Sequence, residues 1–423
     1  MPDRTRSYRP AIALTVSLFF LWGMANNLND ILIAQFRRAF LLSDFETSFV
    51  QQAFYLGYFL LAVPAAMLVR ARGYKAAIVT GLLLYAGGAL LFYPAAHVGE
   101  YRYFLLALFV IAAGLAFLET SANPLMTELG DPAGAARRLT WAQAANPVGT
   151  VAGVLIGKYF ILSRLGHDEA ALAALPAPLR DAALRQEVIA VQTPYLVIGL
   201  VVLVFAVAAA LIRFPDRDAT QDLAEARPPF SAVFRRPRLL AAAATQFFYV
   251  GAQVGIWSYT IRYAQGNVPG MAEHQAADYL FWSLVLFGIG RFAGAALMGR
   301  IAPVLLLALF ATAALLLTLV ATLVGGEAGL LALVAASFFM SIQFPTIFAL
   351  GMAGLGPLAR AGASLIVMAI VGGAALTAAM GAVSDAIGIN GAMLVPAAAF
   401  AVILAFAIAA RRTSVSPAQA PAH

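Results

Sequence analysis

Two carboxylates, Asp30 and Glu119, stand where carboxylates are costly. Asp30 closes the stretch L-W-G-M-A-N-N-L-N-D at residues 21–30, inside an apolar run that extends from residue 11 to about residue 36. Glu119 lies near the middle of another apolar run, in G-L-A-F-L-E-T-S-A-N-P. A charged side chain within hydrocarbon costs several kcal/mol, so such residues face a cavity or a partner and mark substrate or proton pathways. Burial disfavours the charged form of a carboxylate, which makes both residues candidates to take up and release a proton. On a helix Asn26 and Asp30 share one face, with Asn29 beside them and Asn27 displaced by about 100°. Asn123 falls one turn beyond Glu119 on the same face, and Pro124 frees a carbonyl there and can kink the helix. An apolar residue would serve packing more cheaply, which favours function for both acids over the alternative that Asp30 sits at the interface and Glu119 is a hydrogen-bonded packing residue.

Amides form the second constellation. Gln143 and Asn146 stand three residues apart, hence on one helical face. Gly149, Gly153 and Gly157 follow at four-residue spacing and suit close helix approach rather than phosphate binding. Further on, Gln246, Tyr249, Gln253, Trp257 and Thr260 form a stripe at helical period. Amides beside aromatic rings suit a sugar, whose hydroxyls need donors and acceptors while its C–H face packs on a ring. Hydrogen bonding between helices explains the stripe equally well. Gln343, beside Pro345, completes the set. Arg291, in G-I-G-R-F-A-G, has no acid within its own apolar run and is expected to snorkel to the aqueous boundary, the alternative being pairing across helices.

Conventional catalytic patterns are missing. His97, His167, His274 and His423 fall in loops or the tail, and no HExxH, Walker or G-x-S-x-G pattern occurs. Gly288, Gly290 and Gly294 do not make a dinucleotide fingerprint. No enzyme activity, cofactor or metal is expected.

The elements that must position these residues follow from composition. The 423 residues are 62% hydrophobic and 11% charged, with a mean hydropathy of +0.86. A soluble chain of this length could not hide that much apolar surface, so the solvent is lipid. Cysteine is absent, which excludes disulfides and thiolate metal sites. Apolar runs of spanning length occur at about 10–36, 46–69, 76–95, 102–128, 138–162 and 192–213, then 238–264, 276–299, 301–324, 327–354, 361–383 and 387–410. They are too long and continuous for barrel strands, which leaves an all-α membrane bundle of twelve spans. The first run is too long, and too broken by asparagines, for a cleavable signal peptide.

The net charge of +7 does not point to nucleic acid, because the basic residues cluster in short loops. Arg4, Arg6, Arg9, Arg70, Arg72, Lys75, Arg137, Arg138, the arginines from 213 to 238, Arg300, Arg360, Arg411 and Arg412 fall on one side. The opposite loops hold fewer, chiefly Arg37, Arg38, Arg102, Arg164, Arg180, Arg185 and Arg262. The positive-inside rule then places both termini and the central loop in the cytoplasm. The segment 163–192 becomes the one sizeable external loop, with a short amphipathic helix expected at about 168–187.

The halves resemble each other. Pro124, Leu129 and Gly130 align without gaps on Pro345, Leu350 and Gly351. A-A-M-L-V-R at 65–70 matches A-A-L-M-G-R at 295–300, and Phe19, Phe20 and Gly23 match Phe247, Phe248 and Gly251. Such similarity is what duplicated transporter halves show, the alternative being chance likeness among Ala-, Gly- and Leu-rich helices, and the halves are read here as 1–213 and 238–423 joined by a loop at 214–237.

The motifs F-F-L-W-G-M-A-N-N-L-N-D-I-L-I, Q-x-A-F-Y-L-G-Y-F, Y-K-A-A-I-V-T-G-L-L-L-Y, F-L-E-T-S-A-N-P, A-T-Q-F-F-Y-V-G-A-Q-V-G-I-W-S-Y and S-I-Q-F-P-T-I-F-A-L-G resemble the fucose:proton symporter family of the major facilitator superfamily. The likeness runs through all twelve spans in order. It implies two pseudo-symmetric six-helix domains rocking about a central cavity, and proton-driven import of L-fucose, or of a related hexose such as galactose or glucose, across the cytoplasmic inner membrane. It also implies that Asp30 and Glu119 couple protons, with Glu119 nearer the sugar. By the same resemblance Asn27, Gln143 and Asn146 lie near the cavity, and the chain works as a monomer whose partners are sugar, protons and the lipid bilayer. Phe344 stands where the family motif S-I-Q-Y-P-T carries tyrosine, which removes one hydroxyl from the sugar's reach and bears on which hexose is carried. The rival readings are a proton-coupled exporter of small amphipathic compounds, which would call for a cavity richer in aromatics and poorer in paired amides, and a non-transporting sugar sensor.

Overall fold

The computed structural model describes residues 9–42, 44–129, 131–156, 175–214, 229–271 and 273–415. Their regular structure is helical throughout, as hydrocarbon demands of a backbone that finds no water for its N–H and C=O groups. Helices α1 (Arg9–Ala39), α2 (Asp44–Val98) and α3 (Tyr101–Glu128) carry the first four spans. Helix α2 is two spans joined at Gly73, whose φ of 83° suits glycine alone. Span five is split into α4 (Ala135–Gln143) and α5 (Ala145–Ile156). Then come α6 (Ala177–Ala190) and α7 (Gln192–Leu211).

The second half has α8 (Pro237–Asn267), α9 (Glu273–Leu297) and α10 (Pro303–Leu323). Span ten is split into α11 (Gly326–Met340) and α12 (Gln343–Met352). Helices α13 (Ala359–Met368), α14 (Gly372–Ala392) and α15 (Leu394–Val415) close the chain, with a turn inside α14 at Gly388, φ 85°. Among the described residues, nine helical stretches are long and apolar enough to cross a membrane, and each apolar run marked in the sequence has a helical counterpart.

The helix expected at about 168–187 is present over the described part of that range. Residues 157–174 lie outside the described residues, and α6 begins only at Ala177, after Pro176. It runs on to Ala190, with Glu187, Val188 and Ala190 buried and the turns before them exposed or half-buried.

Contacts divide the chain into two compact units. One is Met1–Leu125 with Ala145–Arg227, and the other is Met126–Ala144 with Pro228–His423. Met126–Ala144 thus belongs to the first half by sequence and to the second unit by packing. Ala136 shares an apolar cluster with Met298, Leu306, Phe310, Ile342 and Ala349. Arg138 caps the end of α3, donating from Nε to Met126 O at 3.4 Å and from Nη2 to Thr127 O at 3.0 Å, where the last carbonyls of a helix lack partners of their own.

One packing motif recurs in both units. In the first, Gly149 of α5 lies against the Phe20 carbonyl of α1, and Gly23 against the Asn146 carbonyl. In the second, Gly372 of α14 lies against the Phe247 carbonyl of α8, and Gly251 against the Gly372 carbonyl. Small residues let backbones meet where lipid supplies no hydrophobic drive for association. The repetition is the physical counterpart of the similarity between the sequence halves. Elsewhere in the second unit Asn267 donates to Asn390 Oδ1 at 2.6 Å and accepts from Gly326 N at 3.0 Å, tying α8, α11 and α14. Large apolar side chains such as Leu60, Val204 and Leu211 in the first unit, and Leu309, Leu316 and Leu323 in the second, are exposed, a surface suited to hydrocarbon.

Candidate functional site

In the first unit the site centres on Glu119 of α3, which is 1% exposed. Asn123, one turn on, donates its Nδ2 to Glu119 Oε1 at 3.5 Å, the outer limit for such a bond. Glu119 Oε2 has no hydrogen-bond partner among the described residues. The Tyr58 hydroxyl, on α2 and also buried, is near enough to interact electrostatically with Glu119. The sequence alone assigns no role to Tyr58, although it lies in the motif Q-x-A-F-Y-L-G-Y-F.

Asn146 of α5 donates Nδ2 to Phe19 O at 3.2 Å, so this amide fixes α5 to α1 beside the glycine contacts. Asn27 and Asp30 sit on the α1 backbone, and their side chains lie outside the described residues.

The second unit divides the polar stripe of α8 into two kinds of residue. Tyr249 and Trp257 are used between helices: the Tyr249 hydroxyl donates to Met340 O at 3.0 Å, and Trp257 Nε1 to Ser337 Oγ at 3.1 Å. Thr260 turns back onto Ile256 O of its own helix. Gln246 is fully buried, and neither its Oε1 nor its Nε2 has a partner among the described residues. Gln253, on the same face, is half-buried. A buried amide left unsatisfied costs about 1–3 kcal/mol, so Gln246 is kept for something other than the packing around it.

Span ten breaks between α11 and α12, just ahead of Pro345. Each carbonyl loosened there meets a side chain. Phe338 O accepts from Ser341 Oγ at 2.7 Å, Phe339 O from Gln343 Nε2 at 3.0 Å, and Met340 O from Tyr249. Ser341 O accepts from Arg291 Nε at 2.9 Å. Gln343 is thereby held by its Nε2, while its Oε1 has no partner among the described residues. Phe344 packs edge-on to Tyr249, with centroids 6.2 Å apart, and stacks on Phe348.

Arg291 overturns the expectation of snorkelling. It is 4% exposed, rests over the Phe287 ring at 4.7 Å, and donates Nη1 to the Gln143 carbonyl at 3.1 Å in addition to its bond to Ser341 O. These two acceptors are backbone carbonyls, so the buried guanidinium is held by backbone rather than by an acid. Gln143, 2% exposed, ends α4 in this unit. The described residues therefore bring Gln143, Gln246, Tyr249, Gln253 and Gln343 into the second unit, with Glu119 and Asn146 in the first.

The family model described as Major Facilitator Superfamily matches residues 14–379. An L-fucose-proton symporter of Escherichia coli is 46% identical over 410 residues, covering 96% of this chain and 94% of that protein. A glucose/galactose transporter of Brucella abortus is 36% identical over 401 residues, covering 94% of this chain and 93% of that protein. Among solved structures, that of the E. coli fucose:proton symporter FucP matches with a TM-score of 0.88 at 45% identity, covering 96% of this chain and 99% of that one.

Proposed function

The chain belongs to the major facilitator superfamily and, within it, to the fucose:proton symporter family, and we infer that it imports L-fucose or a related hexose together with a proton by alternating access. It is a multi-pass membrane transporter and not an enzyme. L-fucose is the first choice of sugar, since the E. coli L-fucose symporter is more similar to this chain than the Brucella glucose/galactose transporter; the latter keeps those hexoses in view.

The observation that carries the reading is Glu119. Its ionised form has one long hydrogen bond and an oxygen with no partner among the described residues, at the centre of a membrane-length helix. Protonation removes that buried charge and turns the orphan oxygen into a donor. Asp30 is the second proton-coupling carboxylate, a role supported by its place in the asparagine-rich family motif. Gln246, and Gln343 through its Oε1, offer the sugar amide atoms that have no partner among the described residues. Asn27, Gln143, Asn146, Gln253 and the Tyr249 ring complete the sugar-binding set, on the strength of the helix faces they share and the family motifs they occupy.

Coupling requires that proton and sugar each strengthen binding of the other by the same factor, and each can bias the conformational equilibrium only through its differential affinity for the two states. The proposal places the chain in the cytoplasmic membrane with both termini inside, supported by the arginine distribution. The sequence halves 1–213 and 238–423 are its two domains, a division supported by their internal similarity, and the proposal takes the monomer as the transport unit.

The test is uptake of labelled L-fucose into proteoliposomes, with and without an inward proton gradient and with D-galactose and D-glucose as competitors. Accumulation that depends on the gradient and resists both competitors is the expected result. Accumulation of another hexose changes the substrate, and absence of flux for every sugar overturns the reading.

A further inference from the structure

Arg291 reaches two carbonyls that share a defect. In an α-helix the carbonyl of residue i accepts from the N–H of residue i+4. For Gln143 that residue is Pro147, and for Ser341 it is Pro345. Proline has no N–H. Both helices break at these places, span five at Ala144 and span ten after Met340. The guanidinium donates Nη1 to Gln143 O at 3.1 Å and Nε to Ser341 O at 2.9 Å.

We propose that Arg291 is a positioning residue which supplies, from one planar side chain, the two N–H groups that Pro147 and Pro345 lack, and so holds Gln143 and Gln343 in place for sugar recognition. The guanidinium is buried and lies over the Phe287 ring, a contact that favours the cation there. A positive charge at the carbonyl end of α4 and of α11 also complements the helix dipoles. The fork geometry matters: arginine can address two acceptors set apart in one plane, whereas a lysine ammonium is a single point of charge. Gln143 is the last residue of α4 and Gln343 the first of α12, so a shift of either break moves an amide. The sugar part of this inference rests on the function proposed above; the proline part does not.

The experiment is a cycle between Arg291→Gln and the pair Pro147→Ala with Pro345→Ala, which returns both N–H groups. Thermal unfolding midpoints in detergent and equilibrium binding of labelled sugar are read for every member. In the native-proline background Arg291→Gln is expected to lower the midpoint by at least about 4 °C and to weaken sugar binding several-fold, with Arg291→Lys in between. In the alanine background the same substitution should cost less than half as much in the midpoint. Equal losses in both backgrounds, or no loss in either, overturn the proposal. If Arg291→Gln cannot be purified with native prolines, its recovery in the alanine background supports the inference, and failure in both overturns it. Sugar affinity unmoved by Gln143→Ala and Gln343→Ala would sink the sugar-binding reading and leave the proline cycle standing.

Discussion

One turn apart on α3, Asn123 and Glu119 meet at 3.5 Å through a single carboxylate oxygen, and the other oxygen has no partner among the described residues. Glu119→Gln mimics the protonated acid permanently. Sugar exchange down its own gradient should persist, while accumulation driven by a proton gradient should fall to background. Counterflow and gradient-driven uptake on the same proteoliposomes decide the point; a variant that still concentrates sugar like the wild type removes Glu119 from the proton pathway.

Gln246 and Tyr249 sit on one face of α8 and should answer differently to truncation. Gln246→Leu removes an amide with no partner among the described residues and should weaken sugar binding at least about tenfold, a loss of about 1.4 kcal/mol, with the unfolding midpoint unchanged or raised. Tyr249→Phe keeps the ring but leaves Met340 O without its donor, so it should cost about 1–3 kcal/mol of stability and change sugar affinity little. Binding isotherms beside thermal melts separate the cases, and identical behaviour would refute the division of the stripe.

Gly149→Ala drives a methyl group into the Phe20 carbonyl, where only backbone could give way. Overpacking of this kind costs typically about 1–3 kcal/mol. The unfolding midpoint should drop, and Gly372→Ala, against the Phe247 carbonyl, should lower it comparably. Unchanged melts would mean that the helices separate at little cost.

Phe344→Tyr restores the hydroxyl that the family motif carries. Sugar preference should shift several-fold between L-fucose and galactose in competition uptake, with proton dependence as in the wild type. Unaltered preference would place residue 344 outside the sugar's reach.

Much of this was legible in the sequence because lipid leaves few choices. Uninterrupted apolar runs had to be helices, and Glu119, Gln246 and Gln343 stood out because each carries polar atoms that an apolar span would avoid. What the sequence hid has backbone for a partner. Neither the Arg291 bond to the Gln143 carbonyl nor the Tyr249 bond to the Met340 carbonyl leaves a residue pattern, since every residue has a carbonyl. The readable clue was indirect: prolines at 147 and 345 orphan the carbonyls four residues back, and a lone buried arginine is a donor in search of acceptors. The adherence of Met126–Ala144 to the second unit was equally unreadable, because the apolar surface of Ala136 does not say which cluster it joins.

The glycine seams between α1 and α5, and between α8 and α14, are contacts of backbone on backbone. Where Gly149 meets Phe20 and Gly372 meets Phe247 the nearest atoms are all backbone, so these points have no rotamer to readjust and cannot absorb a change of shape by repacking. Each pair of spans is therefore held as one stiff strut, and a change of shape within either unit falls to the contacts outside the seam.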